Sequence, residues 1–176
     1  MKSSHPSLPL VLINTGGTFN KRYNPLNGAL EIPADNRSVL DLLRSAQPNL
    51  RVHAVGLLHK DSLDITEADR AQLVEVIRTL PEAWRNAPIV IVHGTDTLDQ
   101  TAQALEAAQL NRFVVLTGSM RPVEIDPIEP AIHLGLALGF IAANPPNGVY
   151  VAMHGLVKPH HQMVKDRDIG QFRPKV

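Results

Sequence analysis

The sequence predicts an α/β domain, a largely parallel sheet with helices on both faces. Three observations predict it. Short apolar runs alternate with segments whose apolar residues recur at helical spacing. The short runs are apolar throughout, as strands buried on both faces are. Each run ends in small, hydroxylated or glycine-rich residues, and in such sheets ligands bind beyond the carboxyl ends of the strands.

The elements follow in order. Residues 1–7 read as a loose tail, and residues 8–176 as one domain long enough to close a proper core. Leu8 to Asn14, rich in Val, Ile and Leu, predicts the first strand, ending in Thr15-Gly16-Gly17-Thr18. Asn20 to Pro33 holds Asn, Pro and Gly with little periodicity and reads as a long loop. Arg37 to Ala46 carries Val39, Leu40, Leu42 and Leu43 on one helical stripe, with Pro48 beyond its end. Arg51 to Val55 predicts a second strand, followed by Asp61-Ser62. Thr66-Glu67-Ala68-Asp69 resembles a capping box, and Leu73, Val74, Ile77 and Leu80 continue a helix.

Pro88 introduces a third strand, Ile89 to His93, with Gly94-Thr95-Asp96-Thr97 after it. Leu98, Ala102, Leu105 and Ala108 mark the next helix, and Phe113 to Thr117 a fourth strand ending in Gly118-Ser119-Met120-Arg121-Pro122. Pro130 to Ala143 is a nearly all-apolar helix, which implies burial on most sides. A turn at residues 144–148 leads to a fifth strand, Val149 to Met153, and then to an irregular segment carrying Lys165-Asp166.

Composition excludes several functions. Lys+Arg and Asp+Glu are equal at 17 each, so the formal net charge is zero. That argues against nucleic acid as a main partner, because phosphate binding needs a basic excess or stripe. With no cysteine, disulfides, thiolate catalysis and cysteine-based metal sites are out. Met1 to Pro9 lacks a signal peptide's apolar core, and Ala131 to Ala143 is too short to span a bilayer. A cytoplasmic protein with no membrane partner is expected. Eight histidines invite a metal reading, but His154, His160 and His161 form no helical i, i+4 pair and read as surface or interface residues. No metal and no cofactor are expected. His93, before a glycine turn, reads as a buried polar residue supporting the site.

The crests supply the chemistry. A threonine hydroxyl is a poor nucleophile until a base takes its proton. A lysine becomes a base only when burial or a cationic neighbour favours its neutral form. Lys165 beside Thr95 would make such a pair, with Asp96 or Asp166 holding the ammonium form. Thr18 sits on a glycine turn whose backbone amides can stabilise an oxyanion. These parts suit acyl transfer or amide hydrolysis. No full dinucleotide fingerprint is present, and Gly118-Ser119-Met120 lacks the spacing of a nucleophile elbow.

Thr15-Gly16-Gly17-Thr18 and His93-Gly94-Thr95-Asp96-Thr97 resemble the two signature segments of the bacterial-type asparaginase/glutaminase family, and Gly118 to Pro122 resembles its third recurring segment. The likeness runs from about Leu8 to Phe172 in matching order. It implies the N-terminal-domain fold of that family and a set of roles. Thr18 matches the first catalytic threonine, the nucleophile, and Tyr23 falls in the loop whose tyrosine assists it. Thr95 matches the second threonine, with Lys165 as its basic partner. Asp96 matches the carboxylate for the substrate's α-amino group, and Ser62, beside Asp61, the serine that holds the α-carboxylate. The backbone near Ser119 would meet the side-chain amide.

Three departures accompany the likeness. Relatives usually carry a second, C-terminal domain that supplies an acidic residue to a neighbouring subunit's site, and the chain ends where it would begin. Leu63 stands where some relatives have a polar substrate-binding side chain. The Asn20 to Pro33 loop is not the usual glycine-rich type. The resemblance therefore implies a short, single-domain amidohydrolase acting on L-asparagine, as a homodimer or higher homo-oligomer. An amidase for another small amide such as glutamine, or a non-catalytic amino-acid or nucleotide sensor that kept the fold, are the competing expectations.

Overall fold

The computed structural model describes residues 7–46 and 49–175. Of the expected tail it thus describes Ser7 alone, and Pro48 also lies outside the described residues. In chain order the first elements are β1 (Leu8–Gly16), β2 (Arg22–Asn24), β3 (Ala29–Glu31), α1 (Arg37–Ala46), β4 (Leu50–Lys60) and α2 (Glu67–Arg78). Then come β5 (Ile89–Val92), α3 (Leu98–Ala107), β6 (Phe113–Thr117), α4 (Ile128–Ala142) and β7 (Gly148–Met153). The chain closes with β8 (Leu156–Pro159), β9 (Met163–Asp166) and β10 (Gln171–Pro174).

Six strands make one sheet in the order β4-β1-β5-β6-β7-β8. The first five run parallel, and β8 turns back antiparallel on β7. Period-2 alternation divides the core. Val11, Ile13, Ile89 and Ile91 pack with Leu73 and Ile77 of α2 and Leu98 and Leu105 of α3. Leu10, Leu12, Val90 and Val92 pack with Val39 and Leu43 of α1 and Leu134 and Leu138 of α4. All eight of these strand side chains are fully buried. Burying each contributes about 2 kcal/mol, and this is why the runs are apolar at every position. The predicted architecture is the observed one.

Four expectations need correction. Residues 20–33 are not a plain loop, because β2 and β3 pair as a hairpin, Tyr23 opposite Leu30. Tyr23 and the three β3 residues are exposed, so no buried face writes an alternation into the sequence. The second strand is twice the expected length: β4 continues through Gly56 to Lys60, with a bulge against β1 between Asn14 and Gly16. The segment after β7 is ordered into β8 and the β9–β10 hairpin. Helix α4 is not buried on most sides. His133, Leu134, Ala137, Leu138 and Ile141 face inward, while Ile128 and Ile132 are more than half exposed. Among the described residues no helix is long and apolar enough to cross a membrane.

The capping box on α2 is present. The Thr66 hydroxyl accepts from the Asp69 amide (3.2 Å), and the Asp69 carboxylate accepts from the Thr66 amide (2.8 Å) and from Lys60 Nζ (2.9 Å). The Thr66 amide, and after it Lys60, hold the Asp69 carboxyl down at about 2. A depressed carboxyl stabilises the fold above its unfolded value, and the contribution fades as pH falls through the folded value. Asp69→Asn should therefore cost on the order of 1 kcal/mol at neutral pH, allowing for solvent screening. The gap to wild type should narrow below about pH 4 and close near pH 2. Urea unfolding at a series of pH values measures it.

Candidate active site

The carboxyl ends of the strands meet because their turns lack side chains. Gly17 has φ 74°, and a Cβ there would overlap the backbone of Gly94. Gly94 in turn lies against Ser62, where a Cβ would come within 2.6 Å of the serine's own Cβ. Gly118 similarly abuts the His93 carbonyl. The turns after β1, β4, β5 and β6 thus lie in backbone contact, a packing that only glycine permits at these points.

The turn after β1 is held by two buried amides. Asn14 and Asn20 exchange side-chain hydrogen bonds of 3.0 and 2.9 Å, and Asn20 also donates to the Gly16 carbonyl (2.6 Å). Phe19, fully buried, anchors this 3-10 turn in the core, and Thr18 beside it is half-buried. After β4, Asp61 accepts from the Leu63 amide (3.2 Å) and starts a second 3-10 turn. Lys21 Nζ lies 2.9 Å from the Asp61 carboxylate and, with the Leu63 amide, keeps it below the usual carboxylate range against the effect of burial. The adjacent Ser62, 1% exposed, accepts the Asp96 amide on its hydroxyl (3.2 Å) and the Thr97 hydroxyl on its carbonyl (2.7 Å).

The hairpin of β9 and β10 brings the amine. Lys165 Nζ donates to Thr95 Oγ1 (2.9 Å) and to Asp96 Oδ1 (2.7 Å). The lysine side chain is only 13% exposed. Arg167 approaches the same Asp96 oxygen (3.3 Å) and donates to the Asp96 carbonyl (2.9 Å). Asp166 instead pairs with Arg173 across the hairpin (2.8 Å), so of the two candidate carboxylates for Lys165 it is Asp96 that meets it. A cavity of about 410 Å³ reaches Thr95, Lys165 and Arg167 from the side of α3.

The crest hydroxyls sort by what they already hold. Thr15 donates to the Val92 carbonyl, Thr97 to Ser62 and Thr117 to the Ala152 carbonyl, so these three are committed to structure. Ser119, 1% exposed, donates to the Arg121 carbonyl (2.5 Å), leaving its backbone rather than its hydroxyl to face a ligand. Thr95 carries the lysine, and among the described residues no side chain engages the Thr18 hydroxyl. Tyr23 forms no hydrogen bond with Thr18. It stands on the outer hairpin, 57% exposed, and its amide donates to Glu124. His93 is buried, with Nδ1 2.7 Å from the Gly94 carbonyl and Nε2 2.8 Å from the Thr101 hydroxyl. Burial pushes it down to about 4, so it is neutral and supports the turn.

Three groups with metal-type donors also gather here: Glu129, His133 and His154. A search for paired histidines passes over them, because Glu129 with His133 is an acid–histidine pair at i, i+4. The lone pairs of the two rings are taken. His133 Nδ1 faces the Gly118 carbonyl (2.9 Å), its Nε2 accepts the His154 amide (3.0 Å), and His154 Nδ1 accepts the Phe172 amide (2.8 Å). Arg167 on Asp96 and the Asn14–Asn20 pair likewise escape a sequence reading. Neither follows from periodicity, which is blind to which polar side chains a turn brings together.

A doubly covered parallel sheet with hydroxyl, amine and carboxylate gathered at its carboxyl crest defines the class, an α/β domain whose candidate site lies where such sheets bind ligands. The family model described as "Asparaginase, N-terminal" matches residues 9–167, and the chain belongs to that family. It is 32% identical to an L-asparaginase of Thermococcus kodakarensis, over 82% of this chain and 44% of that protein. It is 29% identical to a glutamyl-tRNA(Gln) amidotransferase component of Methanococcus vannielii, over 96% of this chain and 41% of that one. The solved structure of the thermostable L-asparaginase from Thermococcus kodakarensis superposes with a TM-score of 0.79 at 26% identity, covering 95% of this chain and 51% of that one. The chain thus spans about half or less of the length of these proteins.

The glycine contacts give a direct test. Gly17→Ala must place a side chain into Gly94 at a backbone angle that L-residues avoid, and should cost roughly 3 kcal/mol or more. Gly28→Ala, also at positive φ (71°) but with nothing within 4 Å, should cost only about 1 kcal/mol. Thermal and urea unfolding of the two variants compare them.

Proposed function

We propose that this protein hydrolyses L-asparagine to L-aspartate and ammonia. The carrying observation is the Lys165 amine, 2.9 Å from the Thr95 hydroxyl and 2.7 Å from the Asp96 carboxylate, at the crest of an asparaginase-family domain. In this reading the Thr18 oxygen attacks the side-chain amide carbon. The C–N bond breaks, the nitrogen leaves as ammonia with the proton taken from the hydroxyl, and water then cleaves the Thr18 ester. Asp96 binds the substrate's α-ammonium and Ser62 its α-carboxylate, while backbone near Ser119 meets the amide. An ammonium arriving at Asp96 competes with Lys165 for its counter-charge. That competition loosens the hold of Asp96 on the lysine, whose proposed base role is toward Thr95. Tyr23 assists Thr18 only if the hairpin of β2 and β3 closes inward.

Likeness to an amidotransferase component supports a second reading, an amidase for another small amide such as glutamine. Ammonia release from asparagine, compared with glutamine, decides between them, and release from neither leaves a non-catalytic binding module. Thr18→Ala should abolish the release. Lys165→Met should lower turnover by about 10²-fold or more, the usual scale for removing a general base. Near-normal turnover in that variant would remove Lys165 from the mechanism. Asp96→Ala should raise KM as well as lower turnover, and an unchanged KM would move the amino group elsewhere.

The outer face of α4 supports self-association. Ile128, Ala131, Ile132, Gly135, Gly139 and Ala142 lie exposed along it without a charge. Twofold dimers are the commonest assembly, and a stable one buries on the order of 1,200 Å² in total. Light scattering at micromolar concentration should give at least twice the 19.3 kDa of one chain. Ile132→Asp should halve that mass; a single-chain mass for wild type overturns the reading.

A further inference from the structure

We infer that Glu129, His133 and His154 are positioning residues: Glu129 and His133, on one turn of α4, grip the Ser119 turn, and a hydrogen-bonded path from His133 through His154 sets the hairpin that carries Lys165. On one side, Glu129 accepts the Met120 amide (2.7 Å) and the Arg121 amide (3.1 Å), and His133 holds the Gly118 carbonyl (2.9 Å). The turn meant to meet the substrate amide is therefore gripped at three backbone groups by one turn of α4. On the other side, His133 Nε2 accepts the His154 amide (3.0 Å), and His154 Nδ1 accepts the Phe172 amide (2.8 Å). Phe172 stands opposite Lys165 in the β9–β10 ladder. The amine of Lys165 is thus referred back, through two imidazoles, to the helix that fixes the Ser119 turn.

The partners fix the tautomers. A carbonyl only accepts, so His133 Nδ1 carries the hydrogen; an amide only donates, so its Nε2 is bare. By the same logic His154 Nδ1 is bare, and its Nε2 hydrogen points toward Glu129 Oε1, 3.8 Å away. No lone pair remains on either ring for a metal. His133 is 2% exposed, so a broken link here cannot be repaired by water at little cost. His154 also holds a positive φ of 48°, a conformation that asparagine tolerates better than most residues.

The inference rests on the proposed hydrolysis for its kinetic readout, and the two arms separate at His133. An asparagine side chain places its amide nitrogen near Nδ1, so His133→Asn keeps the Gly118 link and loses the acceptor for His154. A glutamine places its oxygen near Nε2, so His133→Gln keeps the His154 link and loses Gly118. His133→Asn should lower kcat about tenfold with KM within about twofold, because only Lys165 is loosened. His133→Gln should raise KM about tenfold with the smaller change in kcat. His154→Asn, which still offers an acceptor to Phe172, should retain most of the kcat that His154→Ala loses. Amide hydrogen exchange gives a readout free of activity: the His154 amide should exchange faster in His133→Asn, with Val115 in β6 unchanged. Equal effects of the two His133 substitutions on kcat and KM, or unchanged His154 exchange, overturn the positioning chain. If wild type releases no ammonia, the hydrolase reading fails, and the exchange experiment still decides the chain.

Discussion

Backbone contact between Gly17 and Gly94 is the constraint on which the site depends. A parallel sheet fans its crests apart as it twists, and side chains in the turns would hold them further apart. Removing the Cβ at Gly17, Gly94 and Gly118 lets the turns after β1, β4, β5 and β6 share one small volume. Everything polar at the crest follows from that closeness. Ser62 can bond both Asp96 and Thr97 only because Gly94 leaves it room.

The crest then commits most of its polar groups to its own geometry. Thr15, Thr97, Thr117, Ser119 and His93 each satisfy backbone or neighbour groups that would otherwise be buried without partners. Cation–carboxylate pairs also recur around it: Lys21 with Asp61, Lys60 with Asp69, Lys165 with Asp96. Under the proposed function, such a balanced site would let a zwitterionic ligand exchange partners without adding net charge.

What was legible in the sequence was what burial writes there. Strands β1, β5 and β6 are apolar at nearly every position because both faces are covered, and Thr66 to Asp69 announces a helix start by local chemistry alone. The hairpin of β2 and β3 was not legible, since neither strand has a buried face. The exposed flank of α4 was not either: Ile132 lies within the predicted helix and Ile128 just before it, and only the fold shows both facing outward. Within the site, the turns carrying Thr18 and Thr95 were readable from glycine and threonine after strands. Lys165 was readable only through order along a family pattern, as its hairpin has no periodic signal. Asn14 with Asn20, and Glu129 with the two histidines, emerge only when residues far apart in sequence are folded together.

Arg167 on Asp96 changes what ligand entry means. Lys165 and Arg167 both sit on one oxygen of that carboxylate, Oδ1, at 2.7 and 3.3 Å. A cation binding at that oxygen would share it with the two already there or displace one of them. Under the proposed function the guanidinium, 62% exposed against 13% for the lysine, would be the easier of the two to displace. A neutral ligand would gain nothing from such an exchange. Under the same proposal, selection by charge would begin at this carboxylate, ahead of contact with the rest of a ligand.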